Sequence, residues 1–211
     1  LCTIVAFMST LTTTLLTLIL SVPVAPHSPV EGLQGDPVPH AISTEKWVVE
    51  EGDKILVDTK NNEGYIFHKD GQYLNFPLVT GQRRWVSYIG RYYNASTPNW
   101  SWAIKTMHIK GDRLTFGPSG RFLRLYKDGS EHTAYGFHEY GQEDEIFEGL
   151  DTRFRSMGCI IVRIPIMDIL VNTFEKNESI EVISQHGIDN LQEAMLAFEK
   201  DVEDLEDSAE V

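Results

Sequence analysis

The fold of this chain is decided by the stretch Ser156-Met157-Gly158-Cys159-Ile160-Ile161-Val162, which follows His138 after seventeen intervening residues. The β-branched run after Cys159 predicts a buried strand. His138 ends a second predicted strand, which contains Ala134-Tyr135-Gly136-Phe137. The pattern therefore predicts a thiol where one strand starts and an imidazole where another strand ends.

These residue types suit acyl transfer. A free thiol with a pKa near about 8.5 is only a few per cent thiolate at neutral pH, so Cys159 needs a neighbour to activate it. His138 can take the thiol proton and return it to a leaving amine. Gly158 gives the backbone room to approach a scissile carbonyl, and the N–H groups of Gly158 and Cys159 are the expected oxyanion donors. Ser156 is expected to brace the turn.

The alternative is a purely structural role, in which Cys159 is a small buried hydrophobic residue beside two isoleucines. Thiol reactivity separates the two interpretations. The enzyme interpretation predicts that Cys159 is alkylated quickly near neutral pH and that His138→Ala slows the reaction, whereas slow and equal rates indicate an inert thiol.

Most of the remaining chain predicts short strands separated by turns. Two Asp-Gly turns mark hairpins, because this dipeptide adopts positive φ at low cost. A helix with a proline near its start is expected from Pro165 to Phe174. Between His138 and Ser156 a polar, acidic loop with one helical turn is expected to cross over the active site. The predicted strands and hairpin arms are Trp47–Val49, Lys54–Asp58, Gly64–His68, Tyr73–Val79, Phe122–Tyr126 and Ile180–Ile183.

Composition and patterning divide the chain into four parts. Residues 1–25 carry no charge and contain apolar runs, which predicts a signal or a membrane anchor and an extracytoplasmic protein. Residues 26–43 form a proline-rich linker whose prolines are expected to prevent regular pairing. Residues 44–185 form the catalytic domain, and residues 186–211 form an acidic, amphipathic helical tail. The predicted fold class is mostly β, a sandwich or barrel with one or two short helices and this C-terminal helix.

The tail carries an apolar seam on an otherwise acidic helix. The seam consists of Leu191, Met195, Phe198, Val202 and Leu205, at alternating spacings of four and three. An amphipathic helix docked on its own domain is the simplest interpretation. Pairing of 188–205 with another copy or with another protein is the alternative.

Charge and cysteine usage exclude several classes. The formal net charge is −13, and nine acidic residues against Lys200 lie between Gly187 and Val211. Without a cluster of Lys and Arg in the sequence, a nucleic-acid partner is not expected. Cys2 lies in the leader, so Cys159 is the single cysteine of the predicted domain and no disulfide within it is expected. The sequence offers no compact ligand spacing typical of zinc, and no cofactor is expected.

The order of His138, the seventeen-residue loop and Ser156-Met157-Gly158-Cys159 resembles the YkuD-type L,D-transpeptidases. That family carries a histidine ending one strand and then Ser-His-Gly-Cys entering the next. The resemblance extends roughly from Trp47 to Ile183 and includes Thr97-Pro98, which is similar to the family's Thr-Pro-Thr-Gly turn.

The resemblance implies a cysteine enzyme acting on peptidoglycan stem peptides, with Cys159 as nucleophile and His138 as base. Cys159 would attack the carbonyl that precedes a terminal D-residue and pass the acyl group to an amine, or to water in an L,D-carboxypeptidase. Tyr135, Met157 and Arg163 are expected to line the substrate pocket.

The chain departs from the family pattern at three positions. Met157 replaces the family's second histidine, and Ile161 replaces an arginine or asparagine for which Arg163 could compensate from a shifted register. Glu139 adds a negative charge beside the base and is expected to raise the pKa of His138. These departures motivate the rival from another class, a catalytically silent peptidoglycan-binding or scaffolding domain on the same fold.

Overall fold

The computed structural model describes residues 38–88, 90–148 and 153–198. The predicted leader 1–25, most of the predicted linker, and Val202 and Leu205 of the tail lie outside the described residues. Within the described residues, no helix combines the length and apolar character needed to cross a membrane.

The described chain is built mainly from strands. They are β1 (His40–Ala41), β2 (Lys54–Asp58), β3 (Glu63–Phe67), β4 (Gln72–Gly81), β5 (Trp85–Tyr88), β6 (Arg91–Asn94), β7 (Ser101–Ile109), β8 (Arg121–Lys127), β9 (Glu131–His138), β10 (Phe154–Ser156), β11 (Ile160–Val162) and β12 (Ile180–Gln185). The helices are α1 (Glu143–Glu148), α2 (Ile164–Asn177) and α3, which covers the described residues 191–198. A short 3-10 turn covers Thr44–Lys46.

One large sheet closes on itself. Its strands follow the order β1, β4, β11, β9, β8, β7, β12, β2, β3, and β3 pairs in turn with β4. Strand β10 also pairs with β4, whereas β5 and β6 form a separate hairpin. Closure of the sheet leaves few strand edges unpaired. Unpaired edges could otherwise pair with strands of other chains. The predicted fold class, mostly β with a barrel-like sheet and short helices, is confirmed.

The two Asp-Gly turns lie where the sequence predicts them. Gly71 has φ 90° between β3 and β4, and Asp128 and Gly129 have φ 47° and 71° between β8 and β9. These conformations are accessible to Gly and tolerable for Asp, but they are costly for bulky residues. The turns therefore fix the register of both hairpins locally.

The core lies inside the closed sheet and under α2. Alternate residues of the strands point inward, and α2 covers one opening with its apolar side. Burial of each large side chain stabilises the fold by about 1.5–3 kcal/mol. The fully buried large residues include Phe76, Phe137, Ile55, Leu56, Ile66, Leu74, Leu78, Ile104, Leu123, Leu125, Ile160 and Met167.

Helix α2 is three residues longer than predicted at its C-terminal end. Pro165 lies in its first turn, as expected, because the missing N–H would have no intrahelical partner there. The helix continues to Asn177, and Glu178 then ends it in the left-handed conformation with φ 60°. The Asn177 side chain donates to Thr173 O at 2.9 Å and to Glu50 O at 3.0 Å, which fastens this end.

Helix α3 docks on its own domain. Met195 and Phe198, two residues of the predicted seam, pack with Leu56 and Phe67 in a second apolar cluster. The ring centroids of Phe198 and Phe67 lie 5.2 Å apart in an edge-to-face arrangement. The simplest interpretation of the seam therefore holds for the described residues 191–198.

Two local expectations are wrong. Trp47–Val49 forms no strand: Trp47 is buried and stacks on His68 with ring centroids 4.0 Å apart, while Val48 is exposed. One aromatic anchor fixes this segment without a neighbouring strand. The end of the predicted linker does pair, because His40 and Ala41 align in parallel with Gln72 and Tyr73 of β4.

Candidate active site

A cleft of about 1700 Å³ opens beside the ends of β9 and β11. The predicted site residues His138, Cys159, Ser156, Met157 and Tyr135 all line it. The structure therefore brings together, at one concave surface, residues that are up to twenty-four positions apart in the sequence.

Strand pairing puts His138 and Cys159 on the same side of the sheet. Strands β9 and β11 run parallel, with Ile161 aligned with His138 and Ile160 with Phe137. Because side chains alternate along a strand, Cys159 lies on the same face as Ile161 and His138.

The imidazole of His138 is held on several sides. Its Nδ1 lies 2.5 Å from the backbone carbonyl of Glu139, so Nδ1 carries the proton and Nε2 keeps its lone pair. The ring centroid of Phe116 lies 5.0 Å from that of His138, and the centroid of Phe122 lies 6.1 Å away. This tautomer is the one that a general base needs.

Burial lowers the pKa of His138 below its ordinary value, because desolvation disfavours the charged ring. Hydrogen bonding to the carbonyls of Glu139 and Thr115 and the charge of Glu139 raise the pKa, but they do not outweigh burial. Glu139 therefore raises the His138 pKa as expected, but burial outweighs it and the net shift is downward. The ring is neutral at pH 7 and available as a base.

The carboxylate of Glu139 is neutralised by its own network. It is fully buried, accepts a hydrogen bond from Ser119 Oγ at 2.8 Å, and pairs with the guanidinium of Arg121. Arg121 also pairs with Asp168 of α2 at 2.7 Å. This network fastens the end of β9 to β8 and α2 and so fixes the backbone that carries His138.

The Cys159 thiol is free and half-buried. Its Sγ donates a weak hydrogen bond to Ala134 O at 3.8 Å. Burial raises the pKa of the Cys159 thiol to about 11, although the backbone at Gly136 and the charges of Arg124 and Lys110 favour the thiolate. Burial therefore favours the protonated thiol in the resting protein.

Ser156 braces the turn that precedes Cys159, as the sequence predicts. Its hydroxyl donates to Cys159 O at 2.5 Å and accepts the N–H of Gly158 at 3.0 Å. The Gly158 N–H is thus committed to Ser156 and does not face the cleft as an oxyanion donor. Of the two donors expected from the sequence, Cys159 N–H stays the candidate.

A second clamp on this turn comes from Thr97. Its hydroxyl donates to Gly158 O at 2.9 Å and accepts the N–H of Gly81 at 2.9 Å. Tyr93 adds a hydroxyl that donates to Met157 O at 3.2 Å. The sequence suggested Thr97 only through the Thr97-Pro98 dipeptide, and it gave no role to Tyr93.

Gly158 is required by both conformation and space. Its φ is 115°, and a Cβ there would lie 2.6 Å from Cε1 of Tyr135. We expect Gly158→Ala to lower the free energy of unfolding by about 1–3 kcal/mol, since a left-handed non-glycine residue is strained. Thermal unfolding measures the loss, at about 2–4 °C per kcal/mol.

Gly111→Ala is the matched control, because a Cβ at Gly111 meets no atom within 4 Å and its φ is not positive. An equal drop in melting temperature for both variants would contradict the role assigned to Gly158.

The predicted pocket residues divide into two groups. Tyr135 lies over Gly158 and packs edge-on against Trp102, with centroids 5.7 Å apart. The sulfur of Met157 lies 3.5 Å from Nε2 of Gln82. Both line the cleft, but Arg163 does not.

Arg163 belongs instead to the contacts of α1. It pairs with Glu143 at 3.1 Å and Glu148 at 3.3 Å, and its guanidinium lies 4.7 Å from the ring centroid of Phe147. The acidic segment after His138 therefore holds this cation away from the substrate pocket. Arg163 does not compensate for Ile161, which is buried and lines the cleft.

Sequence reasoning missed the hairpin of β5 and β6. Tyr88, Arg91, Tyr92 and Tyr93 from this hairpin line the cleft opposite the catalytic turn. Its sequence signal is two aromatic runs around Ile89-Gly90, typical of a two-residue turn.

The described residues contain no group of three or more His, Cys, Asp or Glu side chains arranged to hold a metal ion. What the site offers is a thiol, an imidazole held by backbone carbonyls, and a turn held by the hydroxyls of Ser156 and Thr97. This arrangement can take a proton from sulfur and form an acyl bond to it.

Comparison with known proteins assigns a family to the sheet and the cleft. Residues 52–182 match the family model YkuD, described as an L,D-transpeptidase catalytic domain. No curated protein was found to match the chain.

Several solved structures resemble the chain at low identity. An L,D-transpeptidase from Xylanimonas cellulosilytica is 18% identical with a TM-score of 0.47, and the match covers 64% of this chain and 61% of that one. A mutant L,D-transpeptidase from Enterococcus faecium is 16% identical with a TM-score of 0.43, covering 65% and 50% respectively. The chain therefore spans between half and two thirds of the length of these two proteins.

Proposed function

The chain belongs to the L,D-transpeptidase catalytic domain family, and from that membership we propose that it is a cysteine acyltransferase with Cys159 as nucleophile and His138 as base. The observation that carries the proposal is that the His138 imidazole, held through Nδ1 by the carbonyl of Glu139, and the Cys159 thiol line one cleft. A histidine of purely structural use would have no need of this combination.

The first half of the reaction forms a thioester. Nε2 of His138 takes the Sγ proton while sulfur bonds to the carbonyl carbon that precedes a terminal D-residue. The carbonyl oxygen becomes an oxyanion, for which the N–H of Cys159 is the proposed donor. The oxyanion then collapses, the C–N bond breaks, and the amine of the D-residue leaves with the proton from Nε2.

The second half transfers the acyl group. An acceptor amine attacks the thioester carbon, His138 removes its proton, and the thiolate leaves and is reprotonated. The carbonyls of Glu139 and Thr115 favour the protonated ring, so they stabilise the imidazolium in both halves. With water as acceptor the same residues would give an L,D-carboxypeptidase.

The raised pKa of Cys159 supports a neutral resting pair in place of a preformed thiolate and imidazolium. Proton transfer then accompanies attack on the substrate. In a resting protein the hydrogen bond between nucleophile and base is often long and tightens only with substrate bound. General base catalysis of this kind contributes about 10²- to 10⁴-fold.

The proposed donor is a peptidoglycan stem peptide, in keeping with the family, whose members typically work in the cell envelope. The open cleft suits an extended peptide, with Tyr135 and Met157 beside the nucleophile. We place the protein outside the cytoplasm, with the uncharged segment 1–25 as its signal or anchor.

A second candidate, a catalytically silent peptidoglycan-binding or scaffolding domain, is favoured by specific observations. Ile161 presents an apolar side chain to the cleft where the family usually carries a polar one, and Met157 replaces a histidine. The Cys159 pKa of about 11 points the same way. A decisive test of function therefore probes acylation of the thiol directly.

Intact mass of the full chain after incubation with a carbapenem provides that test, because this class acylates the thiol of L,D-transpeptidases. We expect one adduct of the mass of the drug. In a separate sample without carbapenem, a synthetic tetrapeptide ending in D-alanine and a free amine should yield the amide of the acceptor, or the tripeptide acid if water is preferred. If neither the adduct nor the product forms, the enzyme proposal is overturned in favour of the silent domain.

A further inference from the structure

The cleft carries a local charge opposite to that of the whole protein. The chain has a formal net charge of −13, yet four arginines line the cleft against a single described carboxylate, Glu145. We call Arg84, Arg91 and Arg155 the arginine rim. Arg83 is excluded because its guanidinium donates to Thr59 O at 2.6 Å and packs on the ring of Phe154.

The arginine rim lies next to the catalytic turn. Arg155 directly precedes Ser156 in β10, Arg84 directly precedes β5, and Arg91 is the first residue of β6. Arg91 lies on the same face of the hairpin as Tyr93, because their partners Tyr88 and Val86 are two residues apart. Tyr93 reaches Met157 O, so this face is directed towards the turn that carries the nucleophile.

Among the described arginines, carboxylate partners are found for two, and neither belongs to the arginine rim. Arg121 and Arg163 are each paired with two or more carboxylates. Among the described residues, the Arg84 guanidinium donates to the neutral amide oxygen of Gln82, at 2.7 Å, and forms no ion pair. Within the part of the chain that the structure describes, neither Arg91 nor Arg155 has an ion pair.

Unpaired guanidinium groups around a concave surface favour an anionic ligand. Their planar forks match the two oxygens of a carboxylate, and the low-dielectric walls of a cleft strengthen the local field. Like charges held together without counter-ions repel each other, and a bound anion relieves that repulsion.

We propose that the arginine rim binds free carboxylates of the donor or acceptor peptide, so that the cleft selects acidic peptides over their amidated counterparts. This proposal rests on the proposed function, because that function is the reason to take the ligand as a peptide. A carboxylate-bearing peptide is favoured over a phosphate polymer because the rim shares its cleft with a nucleophile suited to acyl groups, and because the rest of the protein repels an extended polyanion.

Binding can be measured separately from catalysis with the full-length Cys159→Ala variant and two synthetic tetrapeptides ending in D-alanine. One carries free carboxylates on its internal acidic residues, and the other carries carboxamides of the same shape. By isothermal titration calorimetry at low salt, we expect the acidic peptide to bind about tenfold more tightly. This preference should shrink as salt is raised, since the screening length falls from about 30 Å at 0.01 M to about 8 Å at 0.15 M.

Variants of the arginine rim identify the source of the preference. Arg91→Gln and Arg155→Gln, each made in the Cys159→Ala background, should weaken binding of the acidic peptide by about three- to tenfold and leave binding of the carboxamide unchanged. Lys105→Gln removes the same charge from an exposed position of β7 outside the cleft and should have no effect.

Equal affinity for both peptides, or no binding of either, would overturn the carboxylate proposal. The proposed catalysis stands or falls separately, on acylation of the wild-type thiol. A wild-type chain that forms the carbapenem adduct but does not distinguish the two peptides is thus an enzyme whose arginine rim has no such role.

Discussion

Replacing Cys159 by alanine is expected to remove the carbapenem adduct and to lower turnover of a tetrapeptide donor by at least about 10³-fold. Without the sulfur no thioester can form, and the remaining groups only bind and polarise the carbonyl. Intact mass and steady-state turnover on the full chain measure both effects. This is the largest change expected from any single substitution, because it removes the atom that bonds to substrate.

Two variants make the result specific. Cys159→Ser keeps the shape but offers a hydroxyl that is much harder to deprotonate, so it should be almost as inactive. Cys2→Ala removes the other cysteine of the sequence and should leave the adduct in place. An adduct that persists in Cys159→Ala would show that a different residue is acylated and would overturn the assignment.

Replacing His138 by glutamine is expected to slow acylation by about 10²- to 10⁴-fold. The glutamine amide can still donate to the carbonyl of Glu139, so the local hydrogen bond survives while the base is lost. The raised thiol pKa makes the dependence steep, since Cys159 has little thiolate of its own at neutral pH. The rate of adduct formation, followed by mass spectrometry at fixed carbapenem concentration, measures the effect.

His132→Gln is the control, because His132 is exposed and does not line the cleft. It should react at the wild-type rate. Equal slowing of both variants would point to a general loss of structure and would contradict the base role of His138.

The pH profile tests the same assignment from another direction. Burial lowers the pKa of His138, so the wild-type rate should hold to below about pH 6.5 and then fall as the ring becomes protonated. In His138→Gln this acidic decline should vanish, and the rate should instead rise with pH towards the Cys159 pKa of about 11. An acidic decline that survives the substitution would assign the base to another group.

Local signals predicted most of the elements. The Asp-Gly turns, the alternating strands of β3, β4, β8 and β9, and Pro165 at the start of α2 all follow from preferences that act within a few residues. Trp47–Val49 had the composition of a strand but lacked a neighbouring strand to pair with. Its outcome was decided by the stacking of Trp47 on His68, a contact that no local pattern contains.

The charge state of the site also depended on the fold. The sequence showed Glu139 beside His138 and implied a raised pKa for the histidine. In the structure Glu139 is paired with Arg121 and still raises the His138 pKa, but burial of the ring outweighs it and lowers the His138 pKa overall. Desolvation depends on every side chain packed around a group, so it cannot be inferred from adjacent residues alone.

By itself the sequence determined the family and the mostly β class, and it predicted a histidine and a cysteine as the catalytic pair from their order and spacing. Only the tertiary structure decided that Ser156 takes up the Gly158 N–H, that α1 draws Arg163 away, and that Arg84, Arg91 and Arg155 meet at the cleft. The physical reason is the separation along the chain over which each kind of interaction acts. Turn and strand preferences act between near neighbours, whereas burial, ion pairing and the lining of a cleft arise between residues that closure of the sheet brings together.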